Sequence, residues 1–414
     1  AEVNEAKSPA KQVLHSILAE IYWRYYQSNR GIFYDRTMIT GIEKGDLRTW
    51  DLNTLMDEII TNYFASLEMP ADLKGTPLDA YDVILDTASK SKLFRPTMYD
   101  FLAHRAVDFF MNDESSIVQP AYRFELENEE DFSRVNHFID ISYETRDSLS
   151  LKYHALLIFQ ELLGFHVNDP DPLAMADVNL KRLGFVHRNS IHPLKDSLYV
   201  EALKAYEADT REFPTSTEVS SALATELYRQ SSQYDPSVSE KFRWGAQEAK
   251  TICEDAVSRF PGSTGALKCG KLLDAITKST YRITTEKENV PGKPMLSLLS
   301  YKNLTTLHFR LVKLDYKEHR SMLRELRQRQ ELLEKYVSMP PVQSWTQSVP
   351  DAGDFQEHDT EIKLPGMSAG YYLLLSSETD TFTPDSSSVS YQTFWVSNIS
   401  FISQGMNKGG YSVY

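Results

Sequence analysis

The chain has 414 residues, a net charge of −14 and a hydrophobic content of 41%. One hydrophobic core rarely serves more than about 250–300 residues, so this length predicts two to four domains. An acidic chain repels phosphate backbones, which argues against nucleic acid as a partner. Two cysteines are too few for a disulfide framework or a four-thiolate zinc site, and no apolar run reaches the roughly 18–20 residues that span a bilayer.

Residues 11–277 carry apolar side chains at helical spacing, which predicts a mostly helical segment. Amphipathic helices are expected at 11–29, 49–67, 77–91, from 95 onward and at 148–165. Two dipeptides, Gly164-Phe165 and Gly184-Phe185, match the pattern in which a left-handed glycine ends a helix. We therefore expect one helix to end at each of these glycines.

Two segments of the helical part resemble each other when the sequence is shifted by 47 residues. They read KAYEADTREFPTSTEVSSALATELY and AKTICEDAVSRFPGSTGALKCGKLL. The shift places Phe213-Pro214 on Phe260-Pro261, and a capping serine and threonine follow in both copies. This pattern is typical of tetratricopeptide-like hairpins, whose usual period is about 34 residues. The longer period implies a longer second helix or an insertion between the copies.

Cys253 and Cys269 lie on either side of the second Phe-Pro turn, so they could face each other across that hairpin. Two interpretations remain open. In an oxidising compartment the pair could form a disulfide. Otherwise the two thiols would be buried and would pack as small hydrophobic groups.

The pattern changes between Lys278 and Leu314, where apolar and polar residues begin to alternate. Strand-like segments recur at 281–286, 295–301, 305–314, 342–348, 355–364, 370–377 and 389–397. Seven short strands separated by turns predict an antiparallel immunoglobulin-like β-sandwich. A charged segment at 317–337 predicts one inserted helix, packed across an edge of the sandwich.

These patterns divide the chain into four parts. The expected parts are an N-terminal helical domain at 1–146, tetratricopeptide-like hairpins at 147–279, the β-sandwich at 280–397 and the start of a further β-domain at 398–414. Because the last part stops within a strand pattern, we expect the chain to be a fragment of a longer one. The first residues lack the apolar stretch of a signal peptide, so we expect any export signal to have been removed.

Motifs that carry chemistry are missing from the sequence. It holds no GxGxxG after a strand, and no GxxxxGK[ST], HExxH or GxSxG. His187 and His192 are the closest pair of histidines, and no third ligand is evident beside them. We expect no catalytic residue, no cofactor and no metal ion, so the chain is predicted not to be an enzyme.

Residues 281–401 resemble the first macroglobulin-type domain of bacterial alpha-2-macroglobulin-like proteins. The resemblance is carried by PGKPMLSLLSYKNLTTLHFRLVKLD, VQSWTQSV, EIKLPGMSAGYYLLLSS and YQTFWVSNISFI. The helical part is similar to the N-terminal extension of large cell-envelope members of that family. The segments that carry this second resemblance are LHSILAEIYWRYY, RTWDL and RPTMYDFLAHRAVDFFMN.

The resemblance implies an exported protease trap in the periplasm or cell envelope of a Gram-negative bacterium. In that family a protease cuts an exposed bait segment and the molecule then closes around it, and some members add a Cys-x-x-Gln-type thioester. Neither Cys253 nor Cys269 lies in that motif, and the family's bait and thioester lie in later domains. The resemblance therefore implies a non-catalytic scaffold whose full-length protein has proteases as targets, and it leaves a peptide or protein partner of the helical array open.

A hypothesis from another functional class also remains open. Helical repeats followed by an immunoglobulin-like domain suit a cell-surface module that binds glycans or peptides. Sequence beyond residue 414 would distinguish the two hypotheses. Further sandwiches with a thioester motif would favour the trap, whereas a glycan-binding or anchoring domain would favour the module.

Overall fold

The structure is a computed structural model, and it describes residues 2–34, 46–81, 91–112, 122–286, 288–384, 389–399, 403–405 and 411–413. Helices form the N-terminal part and antiparallel sheets the C-terminal part, so the predicted mixed class is confirmed at this level. The chain divides into two compact units. Unit 1 comprises Ala1–Glu226 with Ile252–Gly270, and unit 2 comprises Leu227–Thr251 with Lys271–Tyr414.

Helices account for most of the described residues before 278. They are α1 (Glu2–Glu5), α2 (Ala10–Ser28), α3 (Arg30–Tyr34), α4 (Leu52–Ala65), α5 (Pro70–Lys74), α6 (Ser91–Phe94), α7 (Met98–Phe110), α8 (Val135–Phe138), α9 (Leu151–His166), α10 (Leu173–Asn189), α11 (Lys195–Thr210), α12 (Ser216–Ser231), α13 (Gly245–Arg259) and α14 (Thr264–Thr277). Of the helix expected at 77–91, residues 82–90 lie outside the described residues. Within the described part, every helix is too short or too polar to serve as a membrane span.

Aromatic side chains fill the N-terminal core of unit 1. The ring of Tyr63 stacks on Phe109 with centroids 4.9 Å apart, and Trp23 meets Phe109 edge-on at 5.2 Å. All three side chains are buried. Such pairs add favourable geometry to the area that they bury, so these rings hold the helices together.

The two helix ends predicted at glycines are wrong. Helix α9 continues past Gly164 to His166, and α10 continues past Gly184 to Asn189. Neither glycine adopts a positive φ, which the left-handed stop requires. The reason is burial: His166 and Phe185 are 2% and 1% exposed, so the added residues pack into the core.

The two similar segments form two helical hairpins, α11–α12 and α13–α14. The start of α12 lies close to the start of α14 in unit 1, where the Thr217 and Ser263 hydroxyls are hydrogen-bonded at 2.9 Å. A Cβ atom at Gly265 would lie 2.1 Å from the carbonyl carbon of Thr217. Arg259 joins the hairpins from the side, because its guanidinium donates to the Arg211 carbonyl at 2.8 Å and to Glu207 Oε1 at 2.6 Å.

The contact at Gly265 predicts opposite effects for two glycines of the same helix. Gly265→Ala is expected to destabilise the protein by about 1–3 kcal/mol, since the methyl group would collide with backbone that cannot rotate away. Gly270→Ala is expected to stabilise it by about 0.4–1 kcal/mol, because nothing lies within 4 Å of its Cβ position and alanine favours a helix. Urea unfolding of both variants measures the difference, and equal effects would contradict the close approach of α12 and α14.

All seven predicted strands are present, and a two-residue strand joins them. They are β1 (Thr280–Thr285), β2 (Glu288–Asn289), β3 (Met295–Lys302), β4 (Thr306–Leu314), β5 (Gln343–Ser348), β6 (His358–Leu364), β7 (Gly370–Ser377) and β8 (Val389–Val396). One sheet has the order β1-β3-β6 and the other β2-β8-β7-β4-β5. The pairs are antiparallel except for β2 beside β8. In the part predicted to begin another β-domain, Ser403–Gly405 and Tyr411–Val413 form an antiparallel pair, β9 and β10, and most other residues lie outside the described ones.

The two larger sheets share one apolar core. Side chains from β3 and β6 pack there against side chains from β4, β7 and β8; the cluster includes Leu299, Ile362, Phe309, Leu374 and Phe394. Tyr372 also lies in this core, and its hydroxyl donates to the Ser368 carbonyl four residues upstream at 2.9 Å. This bond fixes the chain where it enters β7.

The inserted helical segment differs from its prediction in two ways. It forms two helices, α15 (Tyr316–Glu325) and α16 (Arg329–Ser338), where one was expected at 317–337. It covers the second face of the five-stranded sheet and not an edge, because Leu333 and Tyr336 pack against Leu373 and Leu375 of β7. Strand β7 is therefore buried on both of its faces.

Because β7 is buried on both faces, adjacent leucines of this strand are predicted to contribute equally to the free energy of unfolding. Leu373→Ala and Leu374→Ala are each expected to lower the free energy of unfolding by about 2–5 kcal/mol, because both side chains are fully buried. Leu296→Ala is the matched control in β3, where the side chain is 56% exposed, and it should change stability by less than about 0.5 kcal/mol. Chemical unfolding followed by circular dichroism measures all three. A mild effect of Leu373→Ala would show that the helices do not cover that face.

Candidate functional site

His187 belongs to a cluster of potential ligands that the sequence did not reveal. It lies in the last turn of α10, Asp196 in the first turn of α11 and Glu226 in α12. One nitrogen or oxygen from each side chain can be chosen so that all three atoms lie within 4.8 Å of one another. Within the described residues, this is the one group of three His, Cys, Asp or Glu side chains that meets this geometry.

The His187 ring is held in a defined orientation. It stacks on Tyr199 with centroids 4.3 Å apart and planes 6° from parallel. Its Nε2 atom lies 2.6 Å from Asp196 Oδ1. His192, the partner suggested by sequence proximity, lies elsewhere, with Nε2 3.6 Å from Glu129. The structure therefore separates the two histidines and gives each its own carboxylate.

A cavity of about 320 Å³ borders this cluster. Tyr199 and Glu226 line one side of it, and Glu218 and Lys268 line another. Lys268 is paired with Glu218 at 2.5 Å, which balances the charge of that carboxylate. Glu226 is a buried lining residue of this cavity, with 7% exposure.

Arg182 is a second unusual feature of unit 1, since it is a charged side chain with 1% exposure. It donates to the carbonyls of Asp131 and Ser133, each at 2.9 Å, and its guanidinium lies 4.2 Å from the centroid of Phe138. Burial lowers the pKa of Arg182 to about 10, which still leaves it charged at neutral pH. The bonds to carbonyls fix the segment around α8 onto α10, so the role visible here is structural.

A larger cavity of about 510 Å³ opens beside Arg182. Its walls mix apolar and polar groups and include Met175, Tyr206, Asp209 and Phe213. The volume falls within the range of small-ligand sites, about 300–1,000 Å³. A small ligand or a peptide side chain would fit in this cavity, and a second cavity of about 510 Å³ lies beside Arg95 and Lys181.

His166 lies in a buried cluster with two carboxylates. Its Nε2 atom is 2.7 Å from Asp100 Oδ1, and its Nδ1 atom is 2.7 Å from Asp169 Oδ2. Asp100 also caps the first turn of α7 through Thr97. Burial by itself lowers the pKa of His166, but the bonds to the two carboxylates outweigh it and the pKa is raised. The cluster therefore ties the start of α7 to the end of α9.

Cys253 and Cys269 face each other across the α13–α14 hairpin, as their positions in the sequence suggest. Both thiols are free and have no exposed surface. Their mutual hydrogen bond, followed by burial, raises the pKa of Cys253, so it stays a thiol at neutral pH. The structure thus shows the buried-thiol arrangement of the two that the sequence left open.

The described histidines differ in their partners, and the Nδ1 atom of His308 lies 3.2 Å from the hydroxyl oxygen of Thr346. His166, His187 and His358 each pair with a carboxylate. None of the three has a serine, threonine or cysteine side chain among its described hydrogen-bond partners. These three pairs with carboxylates can hold protons and position helices.

Comparisons of the chain with protein-family models and with curated proteins found no match.

The His166 cluster predicts a defined dependence of stability on pH. Because the folded pKa is raised, the contribution of His166 is fully present below its unfolded pKa of about 6.5 and is lost as pH rises through the folded value. The stability difference between the wild type and His166→Gln should therefore be greatest below pH 6.5 and should shrink at higher pH. Asp169→Asn should weaken this dependence. Thermal unfolding between pH 5.5 and 8.5 measures it, and a difference that grows with pH would contradict it.

Proposed function

We propose that this chain is the non-catalytic N-terminal scaffold of an exported bacterial alpha-2-macroglobulin-like protease inhibitor. In this proposal, residues 280–397 are the first macroglobulin-type domain, an immunoglobulin-like β-sandwich. The helical part before it is a tetratricopeptide-like array that anchors the molecule or contacts a partner. The reactive parts of the trap belong to later domains of the full-length protein.

The observation that carries the proposal is the pair of sheets around one core. One sheet has three strands and the other has five, and this arrangement supports the proposed two-sheet sandwich. The Tyr372 hydroxyl bonds back to the Ser368 carbonyl, as the corner tyrosine of such sandwiches does. The segments that carry the family resemblance coincide with β3, β4, β5, β7 and β8.

The helical hairpins support the other half of the proposal. Helices α11–α12 and α13–α14 repeat one plan, and Arg259 and the Thr217–Ser263 bond join them side by side. Stacked hairpins bury a continuous core only with neighbours, which suits an extended scaffold. The two thiols also suit a structural role, because neither has exposed surface and buried cysteines are usually inert.

A second candidate is the cell-surface binding module for glycans or peptides. The cavity of about 510 Å³ beside Arg182 favours it, because Tyr206 and Phe213 offer apolar surface and Asp209 offers a hydrogen-bond acceptor. Arg134 pairs with Asp209 at this cavity, so a ligand would have to displace or include that ion pair.

The trap is tested by exposing the full-length parent protein to a serine, a cysteine and a metalloprotease. Each is expected to cut it in one region outside residues 1–414, and native-gel mobility should change at the same time. An enclosed protease should then lose activity on large protein substrates and keep activity on short peptides, because only small molecules reach it. Residues 1–414 alone are the control and should inhibit none of the three.

Two outcomes would contradict the proposal. Scattered cuts without a change in mobility would show that no bait region exists. Inhibition by residues 1–414 alone would show that the described part does more than scaffold. Binding of a peptide or glycan that Tyr206→Ala abolishes would favour the second candidate.

A further inference from the structure

We propose that His187, Asp196 and Glu226 form a binding site for one divalent transition-metal ion, and that Zn²⁺ fits it best. The site goes beyond the proposed scaffold function and does not depend on it. An imidazole nitrogen and two carboxylate oxygens are a ligand set that Zn²⁺ accepts, whereas Ca²⁺ and Mg²⁺ prefer oxygen ligands alone.

The ligand spacing is close to that of an occupied site. Zn²⁺ bonds of about 2.0–2.2 Å at tetrahedral angles place ligand atoms roughly 3.3 Å apart. The chosen atoms lie within 4.8 Å of one another, and His187 Nε2 is 2.6 Å from Asp196 Oδ1. An entering ion has to widen that one pair by less than about 1 Å and to draw any pair near the 4.8 Å limit together by up to about 1.5 Å. The Asp196 side chain is 54% exposed, so it can make this movement without disturbing the core.

The other two ligands are held in place by their surroundings. The His187 ring is fixed by its stacking on Tyr199, which keeps Nε2 directed at the carboxylates. Glu226 is buried in α12, and a buried carboxylate is stabilised by a nearby positive charge. The site thus combines one surface carboxylate with two ligands that are more enclosed, His187 and Glu226.

Three protein ligands leave one tetrahedral position for water or for a side chain of a partner. Glu226 lines the neighbouring cavity of about 320 Å³, which has room for a water molecule. Since the ligands come from α10, α11 and α12, the ion would join three consecutive helices of unit 1.

The test is zinc binding to residues 1–414 after treatment with a chelator and dialysis. Isothermal titration is expected to show that the wild type binds one Zn²⁺ per chain. His187→Gln should abolish this binding, and Asp196→Asn should weaken it more than about 10-fold. Saturation at about 100 times the Kd should raise the unfolding temperature of the wild type by roughly 5–10 °C. Calcium ions should produce neither signal.

His192→Gln is the matched control. This histidine has the same side-chain exposure as His187, 15%, and also lies near a carboxylate, but it has no third ligand among the described residues. It should bind zinc like the wild type. Glu226→Gln should also weaken zinc binding, but Glu226 is buried and this variant could fail to fold. Asp196→Asn then still tests the site, because Asp196 is at the surface. Absence of zinc binding, or equal losses in His187→Gln and His192→Gln, would overturn the proposal.

Discussion

Three consecutive leucines in β7 set the architecture of unit 2. Neighbouring side chains of a strand point to opposite faces, so Leu373, Leu374 and Leu375 need apolar partners on both sides. The three-stranded sheet supplies one side and the helices α15 and α16 supply the other. The segment between β4 and β5 is therefore a cover that the central strand requires, and the proposed sandwich depends on it.

The strands could be predicted from the sequence because alternation is a local property. Strand β4, for example, alternates buried and partly exposed residues along TLHFRL, and a window of that length reveals it. The fold class needed no more than this. The position of the inserted helices could not be predicted in the same way. They cover a sheet face that is built from strands both before and after them in the sequence, so no local pattern describes it.

The helix ends predicted at glycines were wrong and the ligand cluster of His187 was missed, and the two outcomes have a related reason. Gly164 looks like a helix end, yet the helix continues by two residues to His166, whose bonds to Asp100 and Asp169 favour this extension. His187 looks solitary because Asp196 and Glu226 follow it 9 and 39 residues later on separate helices. Both outcomes are decided by residues far away along the chain, so a local pattern could not contain them. His192, the nearest histidine in the sequence, does not belong to the cluster.

The bare backbone at Gly265 makes the two hairpins unequal despite their shared plan. In the 47-residue alignment, Glu218 occupies the position that corresponds to Gly265. A side chain of that size cannot enter a space already filled by the Thr217 backbone. The two hairpins are therefore not interchangeable. A third copy would need a glycine at the corresponding position to pack in the same way. The contact between the hairpins is therefore asymmetric, because it pairs the bare backbone of Gly265 in one with the Thr217 backbone of the other.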